Sequence, residues 1–175
     1  DEPLLDFLRD EDVLYDSVPF LEFTEYDRTE SEGHVFSANV SGGYQQITYK
    51  TASLGDDQNY SFIVMGSSYE ADSVMLLNET EKPSSDRSNI RFFNAVRGIG
   101  KVDAYVIPAG QVREDLPAAK DIAYKQASPY VSGDLGQYFI RFTRAGAGTI
   151  LAESEPLDLQ DGEVRTVILA EGQRR

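Results

Sequence analysis

The chain contains no cysteine and no tryptophan, and its only histidine is His34. Without cysteine there is neither a disulfide framework nor a thiolate metal site, and either redox compartment is compatible. A zinc site would have to draw almost all its ligands from carboxylates, which is uncommon. A Ser-His-Asp triad would have to use His34, yet no Gly-x-Ser-x-Gly elbow exists anywhere. No apolar run approaches the roughly 20 residues needed to span a bilayer. Positive charge is scarce as well: 30 acidic residues face 16 basic ones, for a net charge of -14. Nucleic acids and anionic membranes are therefore poor partners. The shortage is uneven, since residues 1–88 hold 19 acidic and 5 basic residues while 89–175 hold 11 of each. An acidic front half suits cations or basic partners, or simply keeps the protein soluble.

What is present points to a globular all-β chain. Hydrophobic residues make up 41% of the 175, with ten Tyr and nine Phe, a composition that favours strands over Leu-rich helices. Alternating or apolar runs separated by turn residues predict strands at 4–8, 18–26, 33–39, 44–51, 59–67 and 74–78. A second set is predicted at 90–95, 101–107, 122–130, 137–143, 150–156 and 163–170. Only 4–13 and 111–120 resemble helices, and both are short. Turn chemistry sits at 41–43, 55–57, 146–148 and 161–162. The polar stretch 79–88, containing Pro83, is the expected linker between a first unit at 1–78 and a second at 89–175.

The halves show an internal repeat. Leu5-Asp6-Phe7-Leu8 matches Val102-Asp103-Ala104-Tyr105, and Glu25-Tyr26 corresponds to Pro129-Tyr130. Either Gly33-His34 or Gly43-Tyr44 stands for Gly136-Gln137, and the run from Asp56 to Val64 parallels that from Asp161 to Leu169. The second unit has one strand more, carrying Asn89-Ile90-Arg91-Phe92-Phe93-Asn94-Ala95. No counterpart precedes Leu5, so the first unit is expected to take that edge from a neighbouring chain or from residues 1–3.

These residues resemble a bacterial family catalogued as DUF4397. The resemblance lies in Ile90-Arg91-Phe92-Phe93-Asn94-Ala95 followed by Val102-Asp103-Ala104-Tyr105-Val106, and in the late run Tyr60-Ser61-Phe62-Ile63-Val64-Met65-Gly66. The late run is degenerate in the second unit, where Arg165 replaces the tyrosine and no glycine closes Val167 to Ala170. Two tandem copies would cover nearly the whole chain, the first lacking its opening strand. The resemblance implies two immunoglobulin-like antiparallel β-sandwich units in an exported, often lipid-anchored, envelope protein, and it implies no activity. A start at Asp1-Glu2-Pro3 rather than Met fits a mature or trimmed product.

Among residues that could carry chemistry, the carboxylates stand out. Asp10, Glu11, Asp12 and Asp16, with Glu25, Asp27, Glu30 and Glu32, offer oxygens of the kind calcium takes. Asp10, Asp12 and Asp16 are the calcium candidates, against the reading of solvated loop charges. Gly98-Ile99-Gly100 lacks the helix a dinucleotide loop requires and reads as a turn. Asp6 and Asp103 occupy matching places and are read as braces to loop amides rather than ligands, with Arg91 a cross-strand partner for Asp103. Tyr26, Tyr44, Tyr49, Tyr60, Tyr124, Tyr130 and Tyr138 suit a binding surface or sandwich strand ends. Three glycosylation tripeptides, at Asn39, Asn59 and Asn78, read as chance matches. The sequence thus predicts a non-catalytic module, periplasmic or held at the outer membrane as a lipoprotein, that binds or displays an envelope protein or glycan. It predicts no cofactor beyond calcium, and it leaves the oligomeric state open. A carboxylate-dependent hydrolase and a purely structural spacer are the alternatives.

Overall fold

The run Leu5-Asp6-Phe7-Leu8 forms the first strand, β1 (Leu5–Arg9), of the computed structural model, which describes residues 2–79, 81–111 and 116–172. β2 (Asp12–Val18), β3 (Gly33–Val40), β4 (Gln46–Ser53), β5 (Asn59–Met65) and β6 (Asp72–Asn78) follow. β7 (Arg87–Asn94), β8 (Val102–Pro108), β9 (Ala119–Ile122) and β10 (Val131–Asp134) open the second half. β11 (Gly136–Arg144), β12 (Ile150–Glu153), β13 (Leu157–Leu159) and β14 (Val164–Leu169) complete it. No helix occurs among the described residues, so the chain is all-β.

The strands divide into two compact units, one reaching to Glu79 and one over Glu81–Glu171. Unit 1 pairs its strands in the order β2-β1-β3-β4, with β5-β6 as a separate pair. Unit 2 repeats the first order as β9-β8-β11-β12, with β13 also on β11, and adds the sheet β10-β7-β14. Every pairing is antiparallel except β7 with β14, which run parallel. The expected linker is ordered for much of its length. Pro83 is buried, the Asp86 amide donates to Asp161 Oδ1 at 2.8 Å, and Arg87 and Ser88 already belong to β7.

The two units solve the same packing problem with exchanged volumes. Phe7 pairs across the sheet with Ala38 in unit 1, while Ala104 pairs with Phe142 in unit 2. Large meets small each time, so the layer keeps its volume. In unit 2, Ile90, Phe92, Val102, Ala104, Ile140, Phe142, Leu159 and Leu169 form one buried cluster, and Phe142 meets Phe92 edge-on at 6.1 Å. In unit 1, Phe7 and Phe36 approach Phe62 at 6.1 and 5.9 Å, but all three rings stay partly exposed. Among the described residues of unit 1, the fully buried apolar side chains are Ala38 and Met65.

The differences from the sequence reading have local causes. The helix-like stretch 4–13 is a hairpin, closed by Asp10 and Glu11 with φ of 50° and 77°, as a two-residue type I′ turn demands. Residues 119 and 120 of the other helix-like stretch lie in β9, while 112–115 lie outside the described residues. The strand expected over 18–26 ends at Val18. The matching stretch 122–130 of unit 2, also expected as a strand, holds only the end of β9 and a single bridge from Ala127 to Phe93, and Pro19 and Pro129 bring no amide to a ladder. Leu4, which follows the segment 1–3 expected as one source of the missing edge, lies alongside the end of β3, where the Ser41 amide donates to Leu4 O at 2.9 Å.

Candidate functional site

The Asp that opens each repeat is held by the same two loops. Asp6 Oδ1 accepts from the Ser17 amide at 2.9 Å and the Ser41 hydroxyl at 2.7 Å. The Ser17 amide, the Ser41 hydroxyl and the Gly42 amide hold its carboxyl below the usual carboxylate range. Asp103 accepts from the Asp121 amide at 2.9 Å and the Gly146 amide at 3.2 Å. Even the backbone conformations correspond: Ser17 and Asp121 have φ of 52° and 57°, Gly42 and Gly146 of 73° and 69°. Both carboxylates brace loop backbone. Arg91 does not face Asp103 across a shared sheet, because β7 and β8 lie in different sheets. Its Nε donates to Thr166 Oγ1 at 2.9 Å, and its guanidinium lies 4.6 Å from the centre of the Tyr130 ring, a cation–π distance.

A polar concavity lies at the end of unit 1 where the β1–β2 turn meets the start of β3. It is an open hollow of about 430 Å³, lined by Arg9, Asp10, Asp12, Arg28, Thr29, Glu30, Glu32 and His34. His34 is buried to 5% exposure and places Nδ1 2.5 Å from Asp10 Oδ2. Its Nε2 lies 3.2 Å from Thr29 Oγ1 and 3.1 Å from Glu30 O. Asp10 Oδ1 also accepts from the Val35 amide at 2.8 Å. The Val35 amide first, and then the His34 ring, hold the Asp10 carboxyl below its usual range. Asp10 in turn raises the His34 pKa, against the opposing effect of burial.

Thr29, His34 and Asp10 stand in the order of a nucleophile, base and orienting acid. Glu30 O, which only accepts, competes with the Thr29 hydroxyl for Nε2, and the contact with Asp10 favours the protonated ring. Carboxyl groups shifted downwards, as Asp6 and Asp10 are, stay ionised and do not serve as general acids near neutral pH.

Of the calcium candidates, Asp10 and Asp12 reach this hollow, while Asp16 lies further along β2 and does not line it. Among the described residues no three His, Asp or Glu side chains converge closely enough to hold a metal ion. Sequence spacing shows acidic residues in clusters, yet in a strand neighbouring side chains point to opposite faces. Thr29, Arg9 and Arg28 were not singled out beforehand, since their shared hollow forms only when β1 pairs with β3. Gly98 and Gly100, with φ of 80° and 82°, lie in the turn between β7 and β8. Asn78 is buried, and its side-chain amide donates to Tyr26 and Ser61.

A second surface is apolar. Val13, Leu8, Ser37 and Tyr49 form one rung across β2-β1-β3-β4, with Val13 57% and Tyr49 61% exposed. Val35 is exposed on the same strand face as Ser37. The matching rung of unit 2 runs Tyr105, Arg141, Glu153, and there Arg141 Nη2 and Glu153 Oε2 form an ion pair at 2.6 Å. Phe23, Tyr44 and Tyr69 add further exposed rings to unit 1.

Residues 1–105 match the sequence profile of a domain of unknown function, DUF4397. The chain belongs to the DUF4397 family. No curated protein matches it. The DUF4397 match runs through all of unit 1 and on into β7 and β8, so it includes both Asp braces and the Ile90–Asn94 strand. The glycine that closes the late run of unit 1, Gly66, has a φ of 85°, and a Cβ there would stand 2.7 Å from Glu70 O. Its place in the motif follows from that turn.

Proposed function

We propose that this DUF4397 chain is a non-catalytic binding or display module of the bacterial cell envelope, exported and either periplasmic or anchored as an outer-membrane lipoprotein. On this reading unit 2 is a second, diverged copy of the family's repeat, and unit 1 carries the recognition surface for a protein or glycan. The observation that supports it is the contrast between equivalent rungs. Where unit 2 caps its sheet with the Arg141–Glu153 pair, unit 1 offers Val13 and Tyr49 to solvent. Exposed aromatic residues of this kind are favoured at interfaces. The Glu30 carbonyl beside His34 Nε2 supports the non-catalytic side of the reading, since it engages the nitrogen that a base would turn to Thr29.

The test compares the wild-type chain with Tyr49→Ser and Tyr44→Ser on a glycan array and against envelope extracts, with calcium and EDTA as parallel arms. Specific capture by the wild type that falls at least about tenfold in Tyr49→Ser supports the reading, because tyrosine is enriched among the few interface residues that carry about 2 kcal/mol or more. Capture that is indifferent to both tyrosines overturns it. So does hydrolysis of ester or glycoside substrates that disappears in Asp10→Asn.

A further inference from the structure

The loops at one end of unit 2 keep the backbone of their unit 1 counterparts but exchange apolar side chains for cations. The Ala145 amide donates to Lys101 O at 3.0 Å, as the Ser41 amide does to Leu4 O at 2.9 Å. The Arg144 amide donates to Thr149 O at 2.8 Å, as the Val40 amide does to Gln45 O at 2.9 Å. Lys125 has a φ of 65° where Leu21 has 67°. Lys101, Lys125 and Arg144 therefore stand where unit 1 has Leu4, Leu21 and Val40. The fold accepts apolar residues at all three places, so it does not itself require the charges. Arg97, whose guanidinium lies 5.6 Å from the centre of the Tyr124 ring, adds another cation to the same end. The loops that carry these side chains are fixed to one another. Arg144 Nη1 donates to Ile99 O at 3.0 Å, and the buried side-chain amide of Asn94 donates to Gly100 O at 3.3 Å and Ile122 O at 3.2 Å. Between the cations the surface is low, since a Cβ at Gly98, Gly146 or Gly148 would meet nothing within 4 Å.

We propose that this basic end of unit 2 docks, head to tail, on the acidic end of unit 1 in a second copy of the chain. Charge complementarity selects that occupant. Glu11 and Asp12 at the β1–β2 turn, Glu32 before β3, and Asp56 and Asp57 at the β4–β5 turn are all exposed. Backbone bonds gather these turns at one end of unit 1: the Asp10 amide donates to Val35 O and the Leu54 amide to Glu32 O, both at 2.9 Å. The Ser31 hydroxyl also donates to Asp56. Residues 1–88 hold 19 acidic and 5 basic residues against 11 of each in 89–175, so every copy brings both halves of the match. A foreign polyanion would meet a chain of net charge -14 with no basic counterpart of its own to offer the acidic half. Complementary charge of this kind orients the encounter and weakens with salt. Because the two contact surfaces differ, the contact is heterologous and continues into rings or filaments.

The test is sedimentation velocity of the whole chain over a concentration series, in about 20 mM and about 0.5 M salt. Species larger than the monomer are expected at low salt and disperse at high salt. Lys101→Glu combined with Arg144→Glu should weaken association at least about tenfold. Since Arg144 also ties down Ile99, Lys101→Glu alone is run beside the pair and should move the same way. Lys50→Glu changes the net charge as much as Lys101→Glu does but lies on β4, and it should associate like the wild type. The deciding arm mixes two variants. The chain with Lys101→Glu and Arg144→Glu keeps its acidic end, and a chain with Asp12→Lys and Glu32→Lys keeps its basic end. Each should stay monomeric alone, and together they should form a complex that stops at two chains. A wild type that is monomeric at low salt overturns the proposal, and so does association that survives both reversals or falls equally in Lys50→Glu. Binding of polygalacturonate through Lys101 by a chain that never self-associates would assign the patch to an anionic glycan and overturn it too. Tyr49→Ser leaves this contact unchanged, so it stands or falls apart from the surface proposed for an envelope partner.

Discussion

Asp103 is 8% exposed and accepts from two loop amides that no other group satisfies in its place. Asp103→Ala leaves the Asp121 and Gly146 N–H groups unpaired, an expected cost of about 1–3 kcal/mol, read as a lower urea midpoint at unchanged slope. Asp6→Ala should act in the same direction with a smaller effect, because Asp6 lies nearer solvent. An Asp103→Ala chain as stable as the wild type would show that water takes over the brace. These two residues were legible in the sequence, since an Asp flanked by apolar residues at matching places in two repeats demands a partner. Their partners were not: Ser17 lies eleven residues from Asp6, and Gly146 lies forty-three from Asp103. Likewise Thr29, Glu30 and Asp10 meet His34 through a strand register that spacing alone does not disclose.

At the level of elements, the His34–Asp10 contact ties the β1–β2 turn to the first residues of β3. Its dependence on pH follows from the two shifts. His34 titrates higher in the folded chain, so its stabilisation is complete below its unfolded value of about 6.5 and fades as pH rises through the raised folded value. Asp10 titrates lower, so its share is complete above about 3.9 and fades as pH falls through the lowered value. The tie is therefore strongest between those limits. Thermal midpoints of unit 1 should fall from about pH 5.5 to pH 9 more steeply in the wild type than in His34→Gln. Parallel slopes in the two proteins would remove His34 from the account. Elements also show where periodicity misleads. Residues 18–26 and 122–130 both alternate like strands, but a strand is a property of a pair, and past Val18 and Ile122 these stretches find at most a single bridge, from Ala127 to Phe93.

For the whole molecule, the repeat was readable because its polar markers survive an insertion. Asp6 and Asp103 are 97 positions apart and Ser17 and Asp121 are 104 apart, so the stretch from the Asp to its first loop partner is seven residues longer in unit 2. The difference in cores was less readable, because residues 1–80 hold eleven aromatic residues against eight in 81–171, so composition alone favours the less buried unit. Unit 2 encloses a continuous buried cluster, whereas Phe7, Phe36 and Phe62 keep part of their surface in water. Burial contributes about 25 cal/mol per Å². Calorimetry should therefore resolve two transitions, unit 1 melting first, with hydrogen exchange faster in β5 than in β14. A single transition with uniform protection would contradict this.

The parallel pairing of β7 with β14 has a mechanical side. These are the first and last strands of unit 2, and because they run in the same direction, tension applied through its two ends draws them past each other lengthwise. Every bond of the ladder from Asn89 to Leu169 is then loaded together in shear, instead of parting one rung at a time as in a hairpin pulled open at its mouth. β5 and β6 form a hairpin of that second kind. Under load, the unit with the sealed core would hold its length while β5 and β6 could be peeled apart.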